Sequence, residues 1–228
     1  MGFALFVQSA AAITASAVTF AAPTVPLWAE APTVAEVASA YPARAKAAHV
    51  GGQVTLTCQI EHRRPTQCAA VDEKPEGYGF DFAARQLARQ LLTADGRFNG
   101  QEVLVPVTFD PAVLTGAASV ARPVFAALPA ASDFQAHFPQ AANGVNQVRV
   151  VLACVVGAGG VPQACSVERE EPAGKGYGEG ALPVAGKFKL APWTAEGEPT
   201  VGAHVRLPIR YELTPEQAAA PMPQPPKP

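Results

Sequence analysis

The residues with the clearest chemical potential in this sequence are four cysteines, which form two pairs of nearly equal spacing. Cys58 and Cys68 lie ten residues apart, and Cys154 and Cys165 lie eleven residues apart. Each pair flanks a predicted hairpin turn, so its members can be neighbours on adjacent strands. Zinc sites favour close C-x2–4-C pairs, which this sequence lacks. Four cysteines allow three disulfide pairings, and free core thiols are the alternative to any of them.

A glycine-rich run that begins at Gly174 is a second candidate, because its spacing is similar to that of a phosphate-binding loop. Such a loop follows a buried parallel strand and opens a helix within a βαβ unit. This run follows a predicted hairpin instead, and the corresponding turn in the first half of the chain has glycines at Gly77 and Gly79. We therefore interpret the run as a structural turn.

The remaining polar residues form no recognisable catalytic pattern. The four histidines have no ligand spacing, and Ser166 lacks the G-x-S-x-G setting of a nucleophile. The acidic group of Glu168, Glu170 and Glu171 is interpreted as a solvated strand end. We predict that the chain is not an enzyme, has no catalytic or metal-binding residues and uses no cofactor.

The composition excludes further classes of function. The chain has 228 residues, of which 49% are hydrophobic and 16% are charged, so it can form a packed core and is not disordered. Its 17 Lys and Arg residues and 19 Asp and Glu residues give a formal net charge of -2. Nucleic-acid binding needs a dense basic surface, so we expect no nucleic-acid partner.

An internal repeat is the strongest signal in the sequence. Cys68 corresponds to Cys165 at an offset of 97 residues, and Val103–Phe109 corresponds to Val205–Tyr211 at an offset of 102 residues. The extra residues fall in predicted turns, which tolerate insertions. The repeat therefore favours the disulfides Cys58–Cys68 and Cys154–Cys165, because each unit must once have folded alone.

The repeat also predicts the domain organisation. The two units span residues 34–110 and 130–213, and an Ala- and Pro-rich linker at 111–129 joins them. A Pro-rich tail follows at 214–228, and an apolar segment at 1–30 precedes the first unit.

Each unit has the same predicted order of elements: a short helix, a hairpin, a second helix and a final strand. In the first hairpin, Val54, Leu56 and Cys58 alternate with polar residues, which is typical of a half-buried antiparallel strand. The final strands Val103–Phe109 and Val205–Tyr211 alternate in the same way. The predicted fold class is α+β, with each unit an antiparallel three-stranded sheet packed on one or two helices.

The N-terminal segment carries no charge before Glu30. Polar residues and Pro23 interrupt its apolar run before it reaches the roughly 20 residues of a membrane span. Small residues at 19–21 or at 29–31 fit a signal-peptide cleavage site. We predict a cleaved signal peptide, and an uncleaved anchor or a buried helix of the fold are the alternatives. Disulfides form in oxidising compartments, which agrees with export.

The order of several motifs resembles the TonB C-terminal domain family. Tyr41–Ala45 followed by Gly52–Leu56 is similar to the Tyr-Pro pair and Gly-x-Val strand of that family, and Phe188–Pro192 is similar to its aromatic stretch before the last strand. The resemblance covers most of residues 34–213, in two tandem copies. It implies a periplasmic module of a Gram-negative cell whose last strand pairs with a short segment of an outer-membrane receptor.

The resemblance leads to a specific functional expectation. The chain would bind a protein partner in the envelope, an outer-membrane receptor or a related protein, by strand addition in energy-coupled transport across the outer membrane. The alternative is a structural envelope protein whose two units dock on each other without energy transduction. The residues predicted to contact the partner lie on the two final strands: Val103, Val105, Val107, Phe109, Val205, Leu207, Ile209 and Tyr211.

Overall fold

The computed structural model describes residues 26–137 and 147–212, and the structural statements below refer to these residues. The predicted cleavage site at 19–21 and the Pro-rich tail at 214–228 lie outside them. The described chain is α+β and contains two similar units, so the predicted fold class is confirmed.

The first unit contains three α-helices and five strands in the described part of the chain. Their order is β1 (Trp28–Glu30), α1 (Val34–Ala40), α2 (Ala43–Ala48), β2 (Gly52–Glu61), β3 (Arg64–Lys74), α3 (Phe80–Leu91), β4 (Thr93–Ala94) and β5 (Glu102–Phe109). Strands β3, β2 and β5 form an antiparallel sheet in that spatial order. Helix α3 packs on β2 and β3, so the helices cover one face of the sheet.

The second unit repeats this plan and adds short strands before it. Its elements are β6 (Ser119–Val120), β7 (Phe125–Ala127), α4 (Ala131–His137), β8 (Gln147–Val156), β9 (Pro162–Glu171), α5 (Tyr177–Ala185), β10 (Lys189–Leu190) and β11 (His204–Glu212). The sheet order is β6-β11-β8-β9, and β6 joins β11 in parallel. Helix α5 packs on β8 and β9, as α3 does in the first unit.

Local sequence explains where the first helix begins and ends. The Thr33 hydroxyl accepts a hydrogen bond from the Glu36 amide at 3.2 Å, and the Glu36 carboxylate accepts one from the Thr33 amide at 2.7 Å. This capping box satisfies amides that would otherwise lack partners at the helix start. Helix α1 ends at Ala40, because Tyr41 precedes Pro42 and adopts the extended conformation that a following proline favours.

Each unit has its own hydrophobic core. In the first, the Tyr41 ring contacts Phe80 and Phe109 edge-on, with centroid distances of 5.9 and 5.7 Å. The Tyr41 hydroxyl donates a hydrogen bond to the Val50 carbonyl at 2.8 Å, and burial raises the pKa of this phenol. In the second core, Phe188 contacts the ring of Phe134. The Tyr-Pro motif therefore contributes a ring to the core beneath the final strand.

The two predicted disulfides, Cys58–Cys68 and Cys154–Cys165, are confirmed. Each bridges the two strands of its hairpin beside a shift in strand register. The residue before the second cysteine has a positive φ in both units, 50° at Gln67 and 49° at Ala164. The same bulge in both copies is what duplication of a bridged hairpin predicts.

Removing either bridge is expected to destabilise the protein. A Cys58→Ala/Cys68→Ala variant should lose roughly 2–3 kcal/mol of unfolding free energy, because a closed loop of this length lowers the entropy of the unfolded chain. The Cys154→Ala/Cys165→Ala variant should lose about the same amount or slightly more, since its loop is one residue longer. Urea denaturation without reductant measures both values. Losses below about 0.5 kcal/mol would contradict a stabilising role.

Two segments that were predicted to lie outside the units contribute short strands to them. Trp28–Glu30, within the apolar N-terminal segment, pairs with β4, and the Trp28 side chain is only 5% exposed. The predicted linker at 111–129 provides β6 and β7, which pair with β11 and β10. These pairings depend on distant strands, so the local composition of the two segments does not indicate them.

Candidate functional site: the outer edges of the final strands

The core-facing side chains of the two final strands are not available to a partner. Val105, Val107 and Phe109 are buried in the first core and Val103 packs partly against it. Val205, Leu207 and Ile209 are buried in the second core. The side chain of Tyr211, the last of the predicted contact residues, lies outside the described part of the chain. A partner strand would therefore meet the backbone of these strands rather than these side chains.

The outward backbone groups belong to the alternate residues. Successive residues of a strand direct their N–H and C=O groups to opposite sides. The Thr108 amide donates to a carbonyl outside the sheet, and the His204 amide donates to Ala118 at 2.8 Å. Even-numbered residues of β5 and β11 therefore face the outer edges. The residues predicted to contact the partner are the odd-numbered ones, because the alternation of side chains does not indicate towards which neighbouring strand a backbone group points.

The outer edge of β5 is largely closed by the docking loop, which we define as residues 191–203 between β10 and β11. The Thr108 amide donates to the Gly197 carbonyl at 2.8 Å, and its hydroxyl donates to the Glu196 carbonyl at 2.6 Å. The Trp193 indole N–H donates to the Pro106 carbonyl at 3.1 Å. Since Pro106 has no N–H, the open part of this edge is confined to the beginning of β5.

The docking loop is itself held firmly in place. Trp193 is 4% exposed and belongs to the core of the first unit. The buried Thr194 hydroxyl accepts a hydrogen bond from the Glu198 amide at 3.0 Å. At the far end of the loop, the Val201 carbonyl accepts a hydrogen bond from the Val34 amide at the start of α1, at 2.9 Å. The second unit therefore covers the final strand of the first.

We expect Glu198, in the docking loop, to make the stability of the protein depend on pH. Burial, followed by the negative charges of Glu196 and Asp110, raises the pKa of its carboxyl group. A hydrogen bond with Thr194 and the charge of Arg122 partly oppose this. A carboxyl group with a raised native pKa binds its proton more tightly in the folded state. Its contribution to the unfolding free energy is therefore complete below its ordinary pKa of 4.5 and is lost as pH rises through the native value.

A Glu198→Gln substitution should reduce this loss of stability. We expect the unfolding free energy of the variant to decline less than that of the wild type as pH rises above 4.5. Urea denaturation at a series of pH values measures the difference, with the exposed Glu76→Gln as the control. If the unfolding free energies of the wild type and of Glu198→Gln changed equally with pH above 4.5, the raised pKa of Glu198 would be contradicted.

Among the residues that the structure describes, the outer edge of β11 is unpaired over most of its length. Strand β6 pairs with β11 only at His204 and Val205. Beyond that point no strand in the described part of the chain pairs with the outer side of β11. The outward groups include the carbonyls of Arg206 and Pro208 and both backbone groups of Arg210. Pro208 lacks an N–H, so it removes one donor from the edge.

A cleft of about 510 Å³ lies where β6 ends beside β11. Residues from both strands and from the neighbouring β8 form its walls: Ser119, Val120, Ala121, Ala153, Cys154, His204, Val205 and Arg206. The cleft therefore lies at the start of the open edge of β11. A strand that entered along β11 would continue the line of β6 from this cleft.

Charged side chains accompany the open edge on the exposed face of the sheet. The Arg206 guanidinium donates to Glu168 on β9, with an Nε–Oε2 distance of 2.8 Å, and this hydrogen bond lowers the pKa of the Glu168 carboxyl group. Arg210 lies directly opposite Arg149 on β8. The proximity of Arg210 to Arg149 depends on the strand register, so residue order alone does not indicate it.

The described residues include no group of three or more side chains that could hold a metal ion. Within the same ranges, no helix is long and apolar enough to cross a membrane. No family model matches the chain, and a search of curated proteins finds no match.

Proposed function

We propose that this chain is an exported, TonB-like binding module of the Gram-negative periplasm that engages a protein partner by strand addition at the outer edge of β11. The open backbone of β11 beyond Val205 carries this proposal. The corresponding edge of β5 is closed by the docking loop at Pro106 and Thr108. The two copies therefore differ at the surface that strand addition would use.

The expected partner segment is short and extended. Arg206, Pro208 and Arg210 offer three carbonyls and one amide, and each hydrogen bond contributes about 0.5–1.5 kcal/mol net. Backbone pairing of this kind gives affinity, while side chains of the added strand give specificity. A segment of an outer-membrane receptor fits this description, and the resemblance to the TonB C-terminal domain supports a role in energy-coupled transport.

Export is part of the proposal, and the position of β1 favours the earlier of the two predicted cleavage sites. Both units contain disulfides, which require an oxidising compartment. Cleavage at 29–31 would remove β1 and the buried Trp28, whereas cleavage at 19–21 would keep both. N-terminal sequencing of the exported protein should find a first residue between Ala22 and Trp28, and an intact Met1 would contradict cleavage. A first residue at Ala31 or later would contradict this.

Site-specific photo-crosslinking in envelope fractions tests the binding edge. A photoreactive residue at position 210 should form an adduct with an extended segment of an exported or outer-membrane protein, identified by mass spectrometry. The same residue at position 108 is the matched control, because the docking loop covers that edge. Absence of an adduct at 210 in confirmed exported protein, or equal yields at both positions, would overturn the proposal.

The docking loop also favours a second candidate, a structural envelope protein whose units stabilise each other. Its supporting observation is the set of contacts that Trp193, Gly197 and Val201 make with the first unit. This candidate requires no transient partner. It predicts no adduct at 210 or at 108, so the crosslinking experiment separates the two functions.

A further inference from the structure

Two arginines lie side by side next to the open edge of β11. Arg210 and Arg149 are directly opposite each other in the antiparallel pairing of β11 with β8, and both are exposed. Because the backbone groups of Arg210 face outward, the two residues form a non-hydrogen-bonded pair, the type in which opposite side chains are closest. Like charges in this arrangement destabilise a sheet.

Neighbouring charges on this face are already paired. Arg206 binds Glu168, and Arg169 binds Glu171, the residue opposite Arg149 on β9. Neither Arg149 nor Arg210 forms an ion pair with a side chain that the structure describes. The described side chains around the end of the open edge therefore leave two positive charges uncompensated.

The first unit provides an internal comparison. The residues that correspond to Arg149 and Arg210 are Gln53 and Thr108, which are also directly opposite each other and are neutral. Thr108 lies under the docking loop. The arginine pair thus occurs at the open edge of β11, and neutral residues occupy the equivalent positions at the closed edge of β5. This difference is expected if the arginines contact a partner strand.

We propose that the strand added to β11 carries an aspartate or glutamate opposite Arg210, and that its carboxylate binds between Arg210 and Arg149. This inference rests on the proposed strand addition. Residues directly opposite each other on paired strands direct their side chains to the same face of the sheet. The carboxylate is therefore on the face that carries both guanidinium groups, where arginine can bind it in bidentate geometry.

Pro208 and Arg206 limit the register of the added acidic residue. Pro208 contributes no charge and no N–H, and the Arg206 side chain is engaged by Glu168. Arg210 is the next outward position, with an exposed side chain. The acidic residue of the added strand is thus placed opposite Arg210. The expected partner is an extended peptide in which apolar or neutral residues surround one acidic residue.

Designed peptides test the inference on the full exported protein. The probe is an acetylated peptide of alternating threonine and valine with one central glutamate, and the controls carry glutamine or lysine at that position. A fourth peptide keeps the glutamate but has alternate backbone amides methylated, which prevents strand pairing. Binding is followed by NMR through the backbone amide of residue 210, which both the wild type and the variant below retain. We expect the glutamate peptide to bind about two- to fivefold more tightly than the glutamine peptide, and the lysine peptide to bind least.

A matched protein variant identifies the groups responsible. The Arg149→Gln/Arg210→Thr variant carries the residues of the first unit at these positions, and it should bind the glutamate and glutamine peptides equally. Equal binding of these two peptides to the wild type would overturn the acidic preference and leave strand addition intact. Failure of every peptide to perturb the Arg210 amide, or unchanged binding of the methylated peptide, would overturn strand addition at this edge and the inference with it.

Discussion

A Gly197→Ala substitution is expected to detach the docking loop from β5 and to reduce the unfolding free energy by about 3–5 kcal/mol. Gly197 has a φ of +84°, and a Cβ atom there would lie 2.3 Å from the Pro106 carbonyl oxygen and 2.7 Å from the Val107 nitrogen. These are backbone atoms of a paired strand, so the loop must move. Its displacement removes the hydrogen bonds to Thr108 and Pro106.

Gly100→Ala is the matched control for this prediction. Gly100 has a φ of +80°, but a Cβ atom there would meet no heavy atom within 4 Å. The Gly100→Ala variant should therefore lose only the conformational cost of a positive φ, about 1–2 kcal/mol of unfolding free energy. Urea denaturation measures the difference between the two variants, and hydrogen exchange of the Thr108 amide reports detachment directly. Equal losses with unchanged Thr108 protection would contradict the closed-edge description.

The Gly197→Ala variant also bears on the proposed function. If the docking loop is what keeps a partner from β5, its detachment should produce a crosslink at position 108 that the wild type lacks. Binding at position 210 should be unaffected, because the open edge of β11 does not contact Gly197. If the Gly197→Ala variant lost the crosslink at position 210 while it gained one at position 108, the two edges would not bind independently and this prediction would be wrong.

A Trp193→Ala substitution is expected to have a comparable effect through packing. Trp193 is buried in the core of the first unit although it belongs to the docking loop of the second. Truncation of a buried tryptophan costs about 3–5 kcal/mol, which combines lost apolar burial with the cavity that remains. Urea denaturation should therefore show a large loss of unfolding free energy, together with faster exchange of the Thr108 amide.

Trp193→Phe separates packing from hydrogen bonding at this position. Phenylalanine retains most of the apolar area but cannot donate to the Pro106 carbonyl, so its cost should be nearer to 1 kcal/mol. Similar losses in the two variants would mean that the hydrogen bond, rather than burial, holds the loop. A loss below about 1 kcal/mol in Trp193→Ala would contradict the docking of the units through this residue.

The fold class and the disulfides could be predicted because their signals are local and occur twice. Alternation at Val54, Leu56 and Cys58 indicates a strand wherever that strand lies in the fold. The repeat then restricts each cysteine to a partner in its own unit, and the structure contains both bridges. The short strands β1 and β6 gave no such signal, since two or three residues are too few to establish a period.

The candidate site could be predicted only as far as the strands that contain it. Alternation identifies Val205, Leu207 and Ile209 as one face of β11, but it does not indicate whether their backbone groups point to β8 or away from it. That depends on strand register, which also places Arg149 opposite Arg210. Both properties arise from pairing between residues that are distant in the sequence.

The sequence by itself determined that two bridged α+β units of similar design are joined in one chain, because hydrophobic alternation and duplication are properties of residue order. Only the tertiary structure decided that the edge of β5 is closed, while the described parts of the chain leave that of β11 open. The closing contacts join Trp193 to Pro106 and Gly197 to Thr108, which are 87 and 89 residues apart in the sequence. Contacts of this kind depend on how the second unit packs against the first, and no local pattern encodes that packing.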